Sequence, residues 1–180
     1  MKILKNYLNL ATKNMLLYNL NSVNLDQIVT HVRHRGYMSG IERDTLRVKA
    51  TSEVFTPTDE VQTTLDKITI EKFQDPSKTF LDNSCGDGQF LGEVLIRKME
   101  NGSTFEQALS TTYGVDLMQD NVDLCRERLL CGREDLRHIV ERNIVCADAL
   151  RYHYRFDGSH PYDDETYAKR QKDHFNSFFV

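Results

Sequence analysis

No stretch of this chain is apolar for long enough to cross a membrane. Nothing approaches roughly 18 consecutive apolar residues, and the opening MKILKNYLNLATKNM scatters asparagines and lysines where a secretion signal keeps an apolar centre. A cytoplasmic protein without a membrane partner is the expectation. Cysteine is scarce too. The four residues Cys85, Cys125, Cys131 and Cys146 form no C-x-x-C pair, which argues against a zinc site and a disulfide framework and leaves free thiols and no metal. Only three prolines interrupt 180 residues that are 39% hydrophobic, enough for one core and little for a second. Acidic residues are sparse in one part alone: residues 1–50 carry three against eight Lys and Arg, net +5, while residues 51–180 are net −9 within an overall −4. A basic helical extension over 1–50 on an acidic body over 51–180 points to a polyanion such as DNA, with THVRHRGYM as the densest basic part, or to a solvated helix face.

Apolar spacing divides the chain into elements. Leu4, Leu8, Ala11 and Met15, then Leu25, Ile28, Val29 and Val32, recur at helical intervals and predict two amphipathic helices. Gly36 and Gly40 mark a connector, and residues 45–49 a short extended piece. Thr56-Pro57 cannot continue a helix from upstream, whereas Thr58 followed by Asp59 and Glu60 starts one, with the Thr58 hydroxyl as cap and Val61, Leu65 and Ile68 as its apolar stripe. From Asp75-Pro76 onward strands and helices alternate. KTFLD (78–82), TTYGVD (111–116) and NIVCAD (143–148) read as strands; residues 88–99, 118–130 and 134–142 read as helices, with a shorter one opened by the box Ser103-x-x-Glu106. That order predicts an α/β fold with a parallel sheet and right-handed crossovers.

In such a sheet, ligands bind at the carboxyl ends of the strands. Each predicted strand ends in an aspartate: Asp82, Asp116 and Asp148. After the first comes Asn83-Ser84-Cys85-Gly86-Asp87-Gly88, whose glycines allow backbone to approach a ligand closely. The loop lacks the fuller G-x-G-x-x-G of a dinucleotide site, and Asp82 and Asp87 would repel a diphosphate. Carboxylates suit a cation carrying a ribose, and S-adenosyl-L-methionine (SAM) has an ammonium, a sulfonium and two ribose hydroxyls.

These residues resemble a known family, the class I SAM-dependent methyltransferases, and within it the adenine-N6 DNA methyltransferases of restriction–modification systems. EVFTP (53–57) is similar to the N-terminal SAM motif, FLDNSCGDGQFL (80–91) to the glycine loop, YGVDLMQDNVDLCRERL (113–129) to the ribose segment and IVCADAL (144–150) to the adenine segment. The order matches that of type I modification subunits, and short chains of this kind also resemble methylase-like proteins of tailed phages. The resemblance implies an incomplete Rossmann-like doubly wound parallel sheet behind an N-terminal helical extension. It also implies that Phe55, Thr56 and Pro57 line the methionine end of SAM and that Asp82, Cys85, Gly86 and Gly88 shape the loop. Asp116 and Leu117 would hold ribose and adenine, with Asp148 on the adenine edge.

The same resemblance implies a base-binding loop, polar-Pro-Pro-aromatic, after a fourth strand, where a flipped adenine is held through its exocyclic amine. Here the strand would be RYHYRFD (151–157) and the loop Ser159-His160-Pro161-Tyr162, with histidine in place of the first proline. Ser159, Pro161 and Tyr162 are thus the catalytic candidates in a degenerate loop. Few residues follow for further strands, so an open sheet edge is expected to be covered by the N-terminal helices, by a second copy or by another polypeptide, with Phe175, Phe178, Phe179 and Val180 as contacts or as a loose terminus. Lys2, Lys5, Lys13, Arg33 and Arg35 would touch DNA or merely sit above the sheet. The expected function is SAM binding tied to adenine-N6 DNA methylation, alone or with a partner chain; the alternative is a catalytically inactive SAM-binding or interaction protein.

Overall fold

The computed structural model of the protein describes residues 24–34 and 56–161. Three short strands, β1 (Phe80–Asp82), β2 (Thr112–Asp116) and β3 (Ile144–Cys146), form an open parallel sheet in the order β1-β2-β3. Phe80 is opposite Thr112 and Asp82 opposite Gly114, while Gly114 pairs with Ile144 and Asp116 with Cys146. Seven α-helices accompany them among the described residues: α1 (Leu25–His34), α2 (Thr58–Leu65), α3 (Glu71–Gln74), α4 (Gln89–Glu100), α5 (Phe105–Ser110), α6 (Gln119–Leu130) and α7 (Arg137–Asn143), the last entered through a 3-10 turn. The mixed α/β class expected from the alternation is observed. The predicted helix over 4–15, the connector at Gly36 and Gly40 and the extended piece over 45–49 lie outside the described residues.

Helix α4 is central. Its Leu91, Leu95 and Ile96 are buried toward the main core, but Gly92, Glu93, Val94 and Lys98 on its other sides are buried as well, because α1 and α2 pack over it. Ile28 and Val32 of α1 belong to the same core as Leu91, Leu129 and Ile144. Gly92 is what admits α1: a Cβ built there would lie 2.6 Å from Val32 Cγ1. The buried Lys98 ammonium ties the amino ends of β1 and β2 together, donating to Lys78 O at 2.6 Å, Thr111 Oγ1 at 2.7 Å and Pro76 O at 3.3 Å; its burial lowers its pKa.

The two faces of the sheet differ. Gly114 and Ile144 face the helices. On the other side, Val115 and Val145 meet Ala147, Tyr152, Tyr154 and Phe156, a cluster that contains no helical residue. This corrects the expected strand over 151–157. Tyr154 and Phe156 take left-handed φ of 53° and 49°, which a strand excludes, and the segment crosses the sheet as an aromatic strap, Phe156 tilting against Tyr113 at 4.8 Å between centroids.

Two helix starts also differ from expectation. Thr58 is the first helical residue of α2 and Pro57 occupies the cap, with no side-chain cap bond. The capping box of α5 sits one residue later than expected: Thr104 Oγ1 accepts from Gln107 N at 3.2 Å, and Gln107 Oε1 accepts from Thr104 N at 2.9 Å. Ser103 is buried with its hydroxyl unbonded. The one-turn helix α3, missed by periodicity, buries Phe73, which stacks on Phe80 at 5.0 Å.

Candidate functional site

The carboxyl edge of the sheet assembles most of the residues singled out in the sequence. The chain leaves β1 at Asp82, whose Oδ1 accepts from Ser84 N at 3.0 Å. Cys85 N donates to Val115 O at 3.0 Å and Gly88 N to Cys85 O at 2.8 Å, folding the loop back over the end of β2. Gly86 and Gly88 take left-handed φ of 52° and 87°, and Gly88 caps α4. Gly88 answers to a helix as well as to its backbone: a Cβ there would lie 2.8 Å from Cys125 Sγ on α6. Gly114, under the same loop, is equally confined: a Cβ there would lie 2.8 Å from Leu91 Cδ1 and 2.9 Å from Cys85 Sγ.

Asp116 is the hub. Its Oδ2 accepts from Gly86 N at 3.0 Å, and its Oδ1 accepts from Met118 N at 2.9 Å and from Asn121 Nδ2 at 3.1 Å. Asp116 O in turn accepts from Ala147 N at 2.9 Å, which brings the turn after β3 alongside. Leu117 projects outward, 62% exposed. Asp148 closes the row; its Oδ1 accepts from Leu150 N at 3.0 Å and it pairs with Arg151 at 3.4 Å. Burial raises the Asp82 pKa, with the Asp116 charge adding to it. The Cys85 thiol is pushed well up by its hydrogen bond with Cys125 and by burial, and burial followed by the Asp116 charge raises Cys146. Both shifts disfavour the thiolate, the nucleophilic form.

One sequence expectation at this edge is overturned. Asp87 does not face a ligand; it is 1% exposed and donates no charge to the loop surface, because Arg128 Nη2 lies 2.7 Å from its Oδ2. Arg128 Nη1 also donates to Val32 O at 3.0 Å, so one buried guanidinium joins α1, α6 and the glycine loop. Repulsion of a diphosphate therefore cannot be assigned to Asp87.

Thr56 and Pro57 enter α2, which runs in the same direction as α4: Gln62 meets Glu93, and Asp66 one turn later meets Arg97. Their entry thus points toward the amino end of α4 and the glycine loop. Phe55 and Tyr162 lie outside the described residues. Ser159 forms an exposed turn, its hydroxyl donating to Asp157 Oδ1 at 2.5 Å and its N–H to the same oxygen at 2.9 Å; these bonds, the hydroxyl's first, lower the Asp157 pKa. Pro161 follows, half-buried. Arg33, a candidate for contact with DNA, is held by Glu93 through two bonds of 2.9 Å; Lys2, Lys5, Lys13 and Arg35 lie outside the described residues. A cavity of about 450 Å³ opens at the far end of α4, lined among others by Arg33, Gln62, Ile70, Phe73 and Arg97, away from the loop.

Asn121 and Arg128 escaped the sequence reading. A signal existed: with Met118 and Cys125 they recur at i, i+3, i+7 and i+10, an inward stripe whose polar members require partners. Among the described residues no group of three His, Cys, Asp or Glu is placed to hold a metal, and no helix is long and apolar enough to cross a membrane.

The fold and the site define a class of geometry, an open parallel α/β sheet with a glycine loop and a row of carboxylates at its carboxyl edge. Compared with known proteins, the chain matches no family model, no curated protein and no solved structure.

Proposed function

We propose that the protein binds S-adenosyl-L-methionine at this edge, in an incomplete Rossmann-like domain of the class I methyltransferase type, with a function related to adenine-N6 DNA methylation. The observation that carries the reading is the Asp116 carboxylate bonded to the Gly86 amide beside the half-buried Asp82. Four of the loop's donors are turned inward, the Ser84, Cys85, Gly86 and Gly88 N–H groups bonding protein acceptors, which leaves less for a diphosphate. Two neighbouring carboxylates favour a cation that brings hydroxyl donors. The chemistry of the donor set fits SAM, which when bound supplies a methyl group on a sulfonium sulfur.

Within this reading Asp82 faces the positive end of the cofactor and Asp116 its ribose. Leu117 offers an apolar surface to the adenine, Asp148 its edge, and Thr56 and Pro57 the methionine end. The outer edge of β1, which pairs only with β2 among the described residues, would be covered by a second copy or by another polypeptide, and DNA would be the methyl acceptor. A second reading, SAM binding without base methylation, is favoured by Ser159, whose hydroxyl is engaged by Asp157 in an exposed turn, and by the aromatic strap in place of a fourth strand.

Titration calorimetry with SAM tests the binding. Saturable one-to-one heat supports it, and absence of heat at millimolar ligand removes both readings. Transfer of labelled methyl from SAM to unmethylated duplex DNA separates the two: incorporation favours the enzyme, and binding without incorporation favours the binder.

A further inference from the structure

We infer that Asn121 is a positioning residue for Asp116, and that the carboxylate it helps to orient accepts one ligand hydroxyl rather than two. The inference rests on the reading of Asp116 as the ribose acceptor. Asn121 stands in the first turn of α6, yet it is 1% exposed. A buried amide is costly unless bonded, and its Nδ2 donates to Asp116 Oδ1 at 3.1 Å. The Met118 amide reaches the same oxygen at 2.9 Å and the Gly86 amide reaches Oδ2 at 3.0 Å. The three donors come from the glycine loop, the strand-to-helix turn and the helix itself. Together they fix both the rotation and the tilt of the carboxylate before any ligand arrives.

The same bonds limit what Asp116 has left. An ionised carboxylate offers about four lone-pair positions. The three donors take three of these, both positions on Oδ1 and one on Oδ2. One acceptor direction on Oδ2 remains, beside the Gly86 amide. A vicinal diol therefore finds one acceptor direction at Asp116 instead of two, and the carboxylate selects for a particular hydroxyl. Removal of Asn121 would free Oδ1 and let the carboxylate turn, loosening that selection. Asn121 itself touches no ligand atom in this scheme.

The experiment measures the affinity of the full chain for S-adenosylhomocysteine and for its 2′-deoxy and 3′-deoxy analogues by calorimetry, on wild type, Asn121→Ala and Asn121→Ser. Wild type is expected to lose about ten- to hundredfold for one analogue only, the size of one hydrogen bond to a charged group. Asn121→Ala is expected to weaken S-adenosylhomocysteine about three- to tenfold while leaving the analogue that lacks the bonded hydroxyl unchanged, so that discrimination shrinks. Asn121→Ser, which keeps a shorter donor, should recover part of it and gives the reading if the alanine variant does not fold. Equal weakening of all three ligands would mark Asn121 as merely structural and overturn the assignment. Equal loss with both analogues in wild type would overturn the single-hydroxyl count. Failure of wild type to bind any of the three would remove the SAM reading itself, and this inference with it.

Discussion

Replacing Gly88 by alanine separates two demands that coincide at one residue. Its φ of 87° lies in the left-handed region, where a side chain costs about 1–2 kcal/mol. Its Cβ would also lie 2.8 Å from Cys125 Sγ and 3.4 Å from Cys125 Cα, and relief of such an overlap in a packed interior costs about 1–3 kcal/mol. Gly88→Ala should therefore destabilise the fold by about 2–5 kcal/mol. Cys125→Ala removes the offending sulfur and leaves a small void, at a cost of about 1 kcal/mol, comparable to Ile→Val. In the double variant the overlap is gone and only the backbone strain and the void persist. Its destabilisation should fall short of the sum of the singles by about 1–3 kcal/mol. Equilibrium urea denaturation of the four proteins gives the cycle. Additivity within about 0.5 kcal/mol would refute the steric argument, and a Gly88→Ala protein as stable as wild type would refute the backbone argument with it.

Three further outcomes are expected. Arg128→Met should cost about 3–5 kcal/mol because it strands the buried Asp87 carboxylate, whereas Asp87→Asn with Arg128→Met should recover most of the loss; chemical denaturation decides, and equal destabilisation of single and double variants would count against the pair. The raised Asp82 pKa means that the folded protein holds a proton there which the unfolded chain has already released. Stability should thus fall as pH rises from the ordinary carboxylate range through the raised value and level off above it, with affinity for SAM rising over the same window as the carboxylate ionises. Identical stability-against-pH curves for wild type and Asp82→Asn would defeat this. Thr104→Ala should cost about 1 kcal/mol and Ser103→Ala nearly nothing; thermal denaturation that ranks them the other way would move the capping box back by one residue.

The strands were readable because their signals are local. β1 and β2 each end on an aspartate and Asp148 follows two residues after β3, so the sheet register gathers Asp82, Asp116 and Asp148 along one edge without further instruction. The amphipathic stripe of α1 was readable for the same reason, with Ile28 and Val32 buried as their spacing implies. The RYHYRFD segment misled because inward aromatics at alternate positions satisfy a strand and a strap equally. Only left-handed backbone at Tyr154 and Phe156 separates them, and nothing in the residue types announces it. Thr58 and Ser103 misled by one position each, since a capping hydroxyl is chosen by where the chain turns and not by which hydroxyl comes first.

Local chemistry in the sequence thus determined the alternation of strands and helices, the glycine loop and the carboxylates at the strand ends, because propensity, caps and hydrophobic period act over a few residues. Long-range packing decided the rest. It turned Asp87 inward onto Arg128 and drew α1 across Gly92. It also made Gly88 a contact with Cys125 and surrounded Asp116 with donors from three separate places. Those roles depend on which atoms meet across tens of residues, and a side chain's charge or size acquires its function only from the neighbour that the fold supplies.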